Sequence, residues 1–119
     1  MSYKDIATQF LTMIISWQVQ EAFDQHTGEP FVHHNQYTKP GKQALIDGMK
    51  GNNDNFPNKT LAIDMIIAEA DRLMTYSLLK FTPEHLGIRV VHILRFENDK
   101  IVEMRDVWQQ VEESSPNKS

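Results

Sequence analysis

The groups best suited to proton chemistry in this sequence are a carboxylate and several imidazoles set among apolar neighbours. Asp106 stands among Val102, Met104, Val107 and Trp108. A carboxylate there is expected to be partly withdrawn from water, which raises its pKa toward that of a useful general base. Pairing with Arg95 or Arg105 would act in the opposite direction. His33 and His34 are adjacent, and an extended chain sends neighbours to opposite sides, so only one of them faces the interior unless a bulge intervenes. Such an imidazole could donate to a substrate carbonyl or exchange a proton near neutral pH, or it could anchor a loop through a backbone carbonyl. Tyr76 shares a strand face with Met74 and Leu78, where a phenol buries its ring and offers its hydroxyl to a ligand or packs as plain core. A two-residue hairpin turn would set Asp106 opposite Val91, on one face with Ile93 and Met104, and would turn His92 away. A bulge would reverse His92.

These side chains need a scaffold. Ile6, Phe10, Met13, Ile14 and Trp17 fall on one face of a helix, widened by Leu11 and Ile15, and Ser2 with Asp5 supplies a capping box. Val19, Ala22 and Phe23 continue into a second helix, which Thr27-Gly28-Glu29-Pro30 is expected to break. Phe31 to His34 reads as a short strand. Ala44, Leu45, Gly48 and Met49 then have helical spacing, with Pro40 suited to the first turn and Gly51-Asn52-Asn53-Asp54-Asn55 expected to end the helix. Leu61 to Glu69, Leu73 to Phe81, Ile88 to Glu97 and Ile101 to Val111 read as four strands. Ala70-Asp71, Thr82 to His85 and Asn98-Asp99 link them, and such short links demand antiparallel neighbours. The order α-α-β-α-β-β-β-β segregates helices from sheet and makes the class α+β. One face of the sheet should meet the helices. The other, partly apolar, is most simply explained as a homodimer interface.

Composition narrows the function. The 119 residues suit one domain over 1–113 with a polar tail over 114–119. With no cysteine, thiolate zinc sites, redox pairs and disulfides are excluded. Adjacent histidines point apart, so they cannot chelate one ion in regular geometry, and no metal site is expected. A net charge of -4 without a basic stripe argues against nucleic acid. Neither a signal peptide nor an apolar run long enough for a membrane span is evident, which places the chain in the cytoplasm as an expectation.

Phe31-Val32-His33-His34-Asn35 followed by Gly41, the turn sequence Ala68-Glu69-Ala70-Asp71-Arg72, and above all Arg95 to Glu103 running into Arg105-Asp106-Val107-Trp108-Gln109 resemble the SnoaL-like polyketide cyclase family. That family belongs to the superfamily of nuclear transport factor two and ketosteroid isomerase. The resemblance covers roughly residues 5 to 113, with His33 and Gln36 departing from the glutamine and proline of the family pattern and His92 from a common aspartate. It implies a cone-shaped, curved mixed or antiparallel sheet wrapped around the N-terminal helix, with a pocket between them and frequent dimerisation through the sheet. It also implies cofactor-free acid-base chemistry on an apolar or carbonyl-containing small molecule, such as aldol cyclisation or isomerisation. Asp106 matches the general base and His34 the motif histidine. Tyr76, Trp17, Met13, Met104, His92 and Trp108 are then expected to line the pocket. A non-catalytic dimeric binding or scaffold module of the same fold is the alternative.

Overall fold

A computed structural model describes residues 1–118; the last residue of the expected tail, Ser119, lies outside the described residues. Helix α1 (Tyr3–Ile15) begins at the expected capping box: the Asp5 amide donates to Ser2 Oγ at 3.1 Å and the Ser2 amide to Asp5 Oδ2 at 3.3 Å. Its buried face is Ile6, Ala7, Phe10, Leu11 and Ile14. The helix stops short of Trp17, which lies in the link to α2 at φ 70° with half its surface exposed. Helix α2 (Val19–His26) packs on α1, with Phe10 and Phe23 edge to face at 5.1 Å.

Helix α2 breaks at Thr27 as expected, and strand β1 (Thr27–His34) starts directly there, four residues ahead of the strand expected from Phe31. Its ladder is irregular between Thr27 and Val32, the stretch where Pro30 has no N–H to give. Helix α3 (Lys42–Asn55) has Gly41 at its N-cap and stops within the asparagine-rich segment expected to end it, but only at that segment's last residue. The reason is tertiary. Asn53 is buried and its Nδ2 donates to the carbonyl of Ile14 at 2.9 Å, anchoring the last turn to the end of α1.

Four strands follow: β2 (Thr60–Glu69), β3 (Arg72–Lys80), β4 (Ile88–Glu97) and β5 (Lys100–Gln110). They join β1 in one sheet of order β1-β5-β4-β3-β2, antiparallel except for the parallel pair β1 and β5. Asn98 and Asp99 both take left-handed φ, as a two-residue hairpin turn requires. The helices cover one face, and the core there joins Phe10, Phe23 and Phe31 to Leu73, Leu94, Phe96, Ile101 and Met104. No helix among the described residues is long and apolar enough to cross a membrane.

Candidate functional site

A cavity of about 540 Å³ opens between the inner sheet face and helices α1 and α3. Its wall is mostly apolar, with Leu11 and Ile14 from α1, Leu45 and Met49 from α3, and Ile88 and Val90 from the sheet. Besides Thr38 and Gln110, its polar lining falls into two groups. One is a cluster of His33, Asn35, His92 and Asp106; the other is Asn52 with Lys59.

The cluster exists because of a one-residue irregularity in β5. Glu97 and Phe96 pair with Lys100 and Ile101, but Arg95 then pairs with Glu103, so Val102 is extra. Beyond this bulge Asp106 lies opposite His92 rather than Val91, and Ile93 is on the outer face opposite Arg105. The regular hairpin expected from the sequence is thereby corrected. Thr75 of β3 continues the row as the partner of His92.

Asp106 Oδ1 accepts from His33 Nε2 at 3.0 Å and from Asn35 Nδ2 at 2.8 Å. Asn35 is oriented by its own turn, since its Oδ1 accepts from the Tyr37 amide at 2.7 Å, which leaves the amide nitrogen to face the carboxylate. The His33 amide donates to Pro40 O at 3.0 Å, tying the loop after β1 back on that strand. Asp106 Oδ2 has no hydrogen-bond partner among the described residues, and only about a sixth of the side chain is exposed. Burial pushes the Asp106 pKa up, but the hydrogen bonds from His33 and Asn35 and the nearby imidazole charge outweigh it, and the net direction is down. The expected elevation is therefore reversed, and the group is an anion at neutral pH.

His92 is neutral there. Burial is the main cause holding its pKa down, at about 4; the Asp106 carboxylate acts the other way, and charge on His33 adds to the depression. The Nδ1 atoms of His33 and His92 and the hydroxyls of Thr75 and Ser77 are buried without a protein partner among the described residues. They leave unspent hydrogen-bonding capacity along β1, β4 and β3.

The remaining expected site residues separate. His34 points to the outer face, as alternation requires once His33 is inside, and its Nε2 meets Glu103 Oε2 at 2.8 Å. Glu103 also takes Arg95 at 3.1 Å and Arg105 at 3.2 Å, and with the His34 bond as the first cause its pKa falls to about 2. The arginines that could have paired with Asp106 are thus engaged on the opposite face. Tyr76 is on that face too, opposite Val91, with Arg89 over its ring at 5.4 Å. Trp17 is beyond the end of α1, Met13 packs beside the core and borders a separate groove with Gln9 and Gln18, and Met104 is wholly buried in the core. Trp108 does line the cavity while remaining partly exposed, with its ring 5.7 Å from that of Tyr37. Asn35 and Lys59 join the site in addition to the residues expected from the sequence. Asn35 was visible only as part of the strand-end motif, and Lys59 gave no signal in the sequence. Among the described residues no group of three or more His, Asp or Glu side chains is arranged to hold a metal ion.

A helix-filled cone of sheet with a carboxylate held by histidine and asparagine in its hollow defines a nuclear transport factor two-like, cystatin-fold α+β protein. Residues 5–113 match the model of the SnoaL-like polyketide cyclase family, and the chain belongs to that family. Among solved structures it is similar to AclR of Streptomyces galilaeus, a candidate hydroxylase, at 22% identity over 91% of this chain and 79% of that one, with a TM-score of 0.78. It is also similar to a SnoaL-like polyketide cyclase of Agrobacterium tumefaciens strain C58, at 16% identity over 93% and 94% with a TM-score of 0.76. A cystatin-fold protein of Novosphingobium aromaticivorans is 15% identical over 90% and 98%, again with a TM-score of 0.76. No functionally curated protein matches the sequence.

Proposed function

We propose that the protein is a cofactor-independent acid-base catalyst that removes a proton next to the carbonyl of an apolar small molecule, with Asp106 as the base. The observation that carries this reading is the carboxylate in the cavity wall, with one oxygen tied to His33 and Asn35 and the other without a partner among the described residues. Fixing Oδ1 sets the direction of Oδ2, so the base is positioned before substrate arrives. Neutral His92 stands across the strand pair from Asp106 and lines the same cavity, where it can donate to the enolate oxygen as charge develops. Aldol cyclisation and isomerisation both begin with this step.

The test is deuterium exchange at the α-carbon of cyclic ketones and short polyketide mimics, followed by NMR. Asp106→Asn preserves shape and removes the base, and the expected loss is about 10²–10⁴-fold. An unchanged exchange rate in the variant refutes the role. One observation favours a second, non-catalytic reading: the net depression of the Asp106 pKa makes the carboxylate a weak base. Under that reading the cavity binds the same ligands and no exchange above background is seen in either protein.

The reading includes a homodimer formed through the outer sheet face, where Met65, Ile67 and Val107 are 47%, 52% and 64% exposed. Sedimentation at micromolar concentration tests it, with a monomer as the contrary result. It also includes a cytoplasmic location.

A further inference from the structure

The cavity contains a cation that no carboxylate among the described residues neutralises. Lys59 follows α3, lines the hollow, and donates from Nζ to Asn52 Oδ1; no carboxylate among the described residues lies within ion-pair distance of it. Burial alone lowers its pKa to about 8, so at pH 7 the ammonium is retained in a partly desolvated place. An ammonium has three N–H donors, and Asn52 takes one of them. Since Asn52 uses its oxygen for Lys59, its amide nitrogen is left as a further donor at the same spot. Among the described residues the one carboxylate lining the cavity, Asp106, is already engaged by His33 and Asn35. Around these groups the wall is apolar, with Leu61, Leu79 and Phe81 on the sheet side.

A charge held this way is left short of partners, and an anion arriving in the hollow would supply them. We infer that Lys59, with Asn52, is the docking point for a carboxylate on the ligand, so that the cavity selects apolar keto acids over the corresponding neutral ketones. A phosphate would require more donors and more positive charge than one ammonium and one amide supply. The carboxylate would anchor the molecule at Lys59 while its apolar body fills the hollow toward Asp106 and His92. This inference rests on the cavity being a ligand site and does not depend on Asp106 acting as a base.

The experiment is a calorimetric or NMR titration at pH 7 with 4-oxo-4-phenylbutanoate and its uncharged partner 4-oxo-4-phenylbutanamide. The wild type is expected to bind the acid about tenfold or more tightly than the amide, the gain of a charge-assisted contact in an apolar site. Lys59→Met keeps the apolar stem and should abolish the preference while amide affinity stays the same. Lys59→Arg should retain it, and circular dichroism of both variants checks that they fold. Equal affinity of the wild type for acid and amide, or a preference that survives Lys59→Met, overturns the role of Lys59 and leaves the ligand site standing. Failure of both probes to bind overturns both readings. Asp106→Asn should retain the acid preference even where it abolishes α-proton exchange, which separates a failure of the docking point from a failure of the base.

Discussion

His92 predicts a specific acid sensitivity. In the unfolded chain its imidazole takes a proton near 6.5, whereas in the fold it does so only near 4. Between those values the unfolded state binds more protons than the native one, so stability falls as the solution is acidified. The contribution is whole above about pH 6.5, declines through the interval, and is gone below about pH 4. The full interval corresponds to about 3 kcal/mol, most of which should be lost between pH 8 and pH 4.5. Asp106, whose pKa is shifted below its ordinary 3.8, contributes its own loss only at lower pH. His26 is also depressed, by burial first and Lys100 second, so the total acid response contains more than one histidine. Urea unfolding of the wild type and of His92→Gln at both pH values removes that overlap, because only the difference between the two proteins is read. The variant should lose about 2–3 kcal/mol less on acidification. If both lose stability in parallel, or if the ring proton resonances of His92 titrate near pH 6.5, the assignment of a desolvated neutral imidazole is refuted.

Three further outcomes follow from single contacts. Asn35→Leu removes a hydrogen bond to Asp106 Oδ1, so the Asp106 pKa should rise, measurable by carbon NMR of the carboxyl group; no upward movement would mean the contact does not hold the charge. Asn53→Leu leaves the Ile14 carbonyl without its buried partner and should cost about 1–3 kcal/mol in chemical unfolding, with the last turn of α3 exchanging its amides faster. Gly87→Ala should cost about 1–3 kcal/mol, because φ there is +109° and an added Cβ would stand 2.5 Å from Leu78 Cδ1. A thermal melt within a degree of wild type would contradict that last expectation.

The legible parts of the fold were those controlled by short-range periodicity. The Ser2 and Asp5 box, the face from Ile6 to Ile14, the four late strands and the turn at Asn98-Asp99 all follow from local patterning. Departures occur where a distant contact overrides propensity. Asn53 keeps α3 helical because its partner is the carbonyl of Ile14, 39 residues earlier. Trp17 leaves the apolar stripe because the Gln18 amide donates to Met13 O and ends the helix. The site was legible as Asp106 and as a choice between His33 and His34, but alternation cannot say which histidine is inside. Packing decides it: His33 is 2% exposed and meets Asp106, whereas His34 has a carboxylate partner on the outer face.

The bulge at Val102 was the hidden determinant, and its cause lies in the residues of β5 themselves. Ile101, paired with Phe96, is buried, and strict alternation from it would carry Glu103 and Arg105 inward and turn Met104 and Asp106 out. That arrangement would bring two charged side chains into the core beneath α1 and expose an apolar one, at a cost of several kcal/mol. One extra residue sacrifices regular pairing at a single place, on the order of 1 kcal/mol for a lost ladder hydrogen bond. The bulge wins that comparison. It returns Met104 to the core and leaves Glu103 and Arg105 to form the outer network with Arg95 and His34. The same half-period shift carries Asp106 to the inner face and sets it across from His92. The hydrophobic demand of the core thus places the carboxylate in the cavity, and the pairing of two consecutive apolar residues, Ile101 and Val102, ahead of an alternating run is its trace in the sequence.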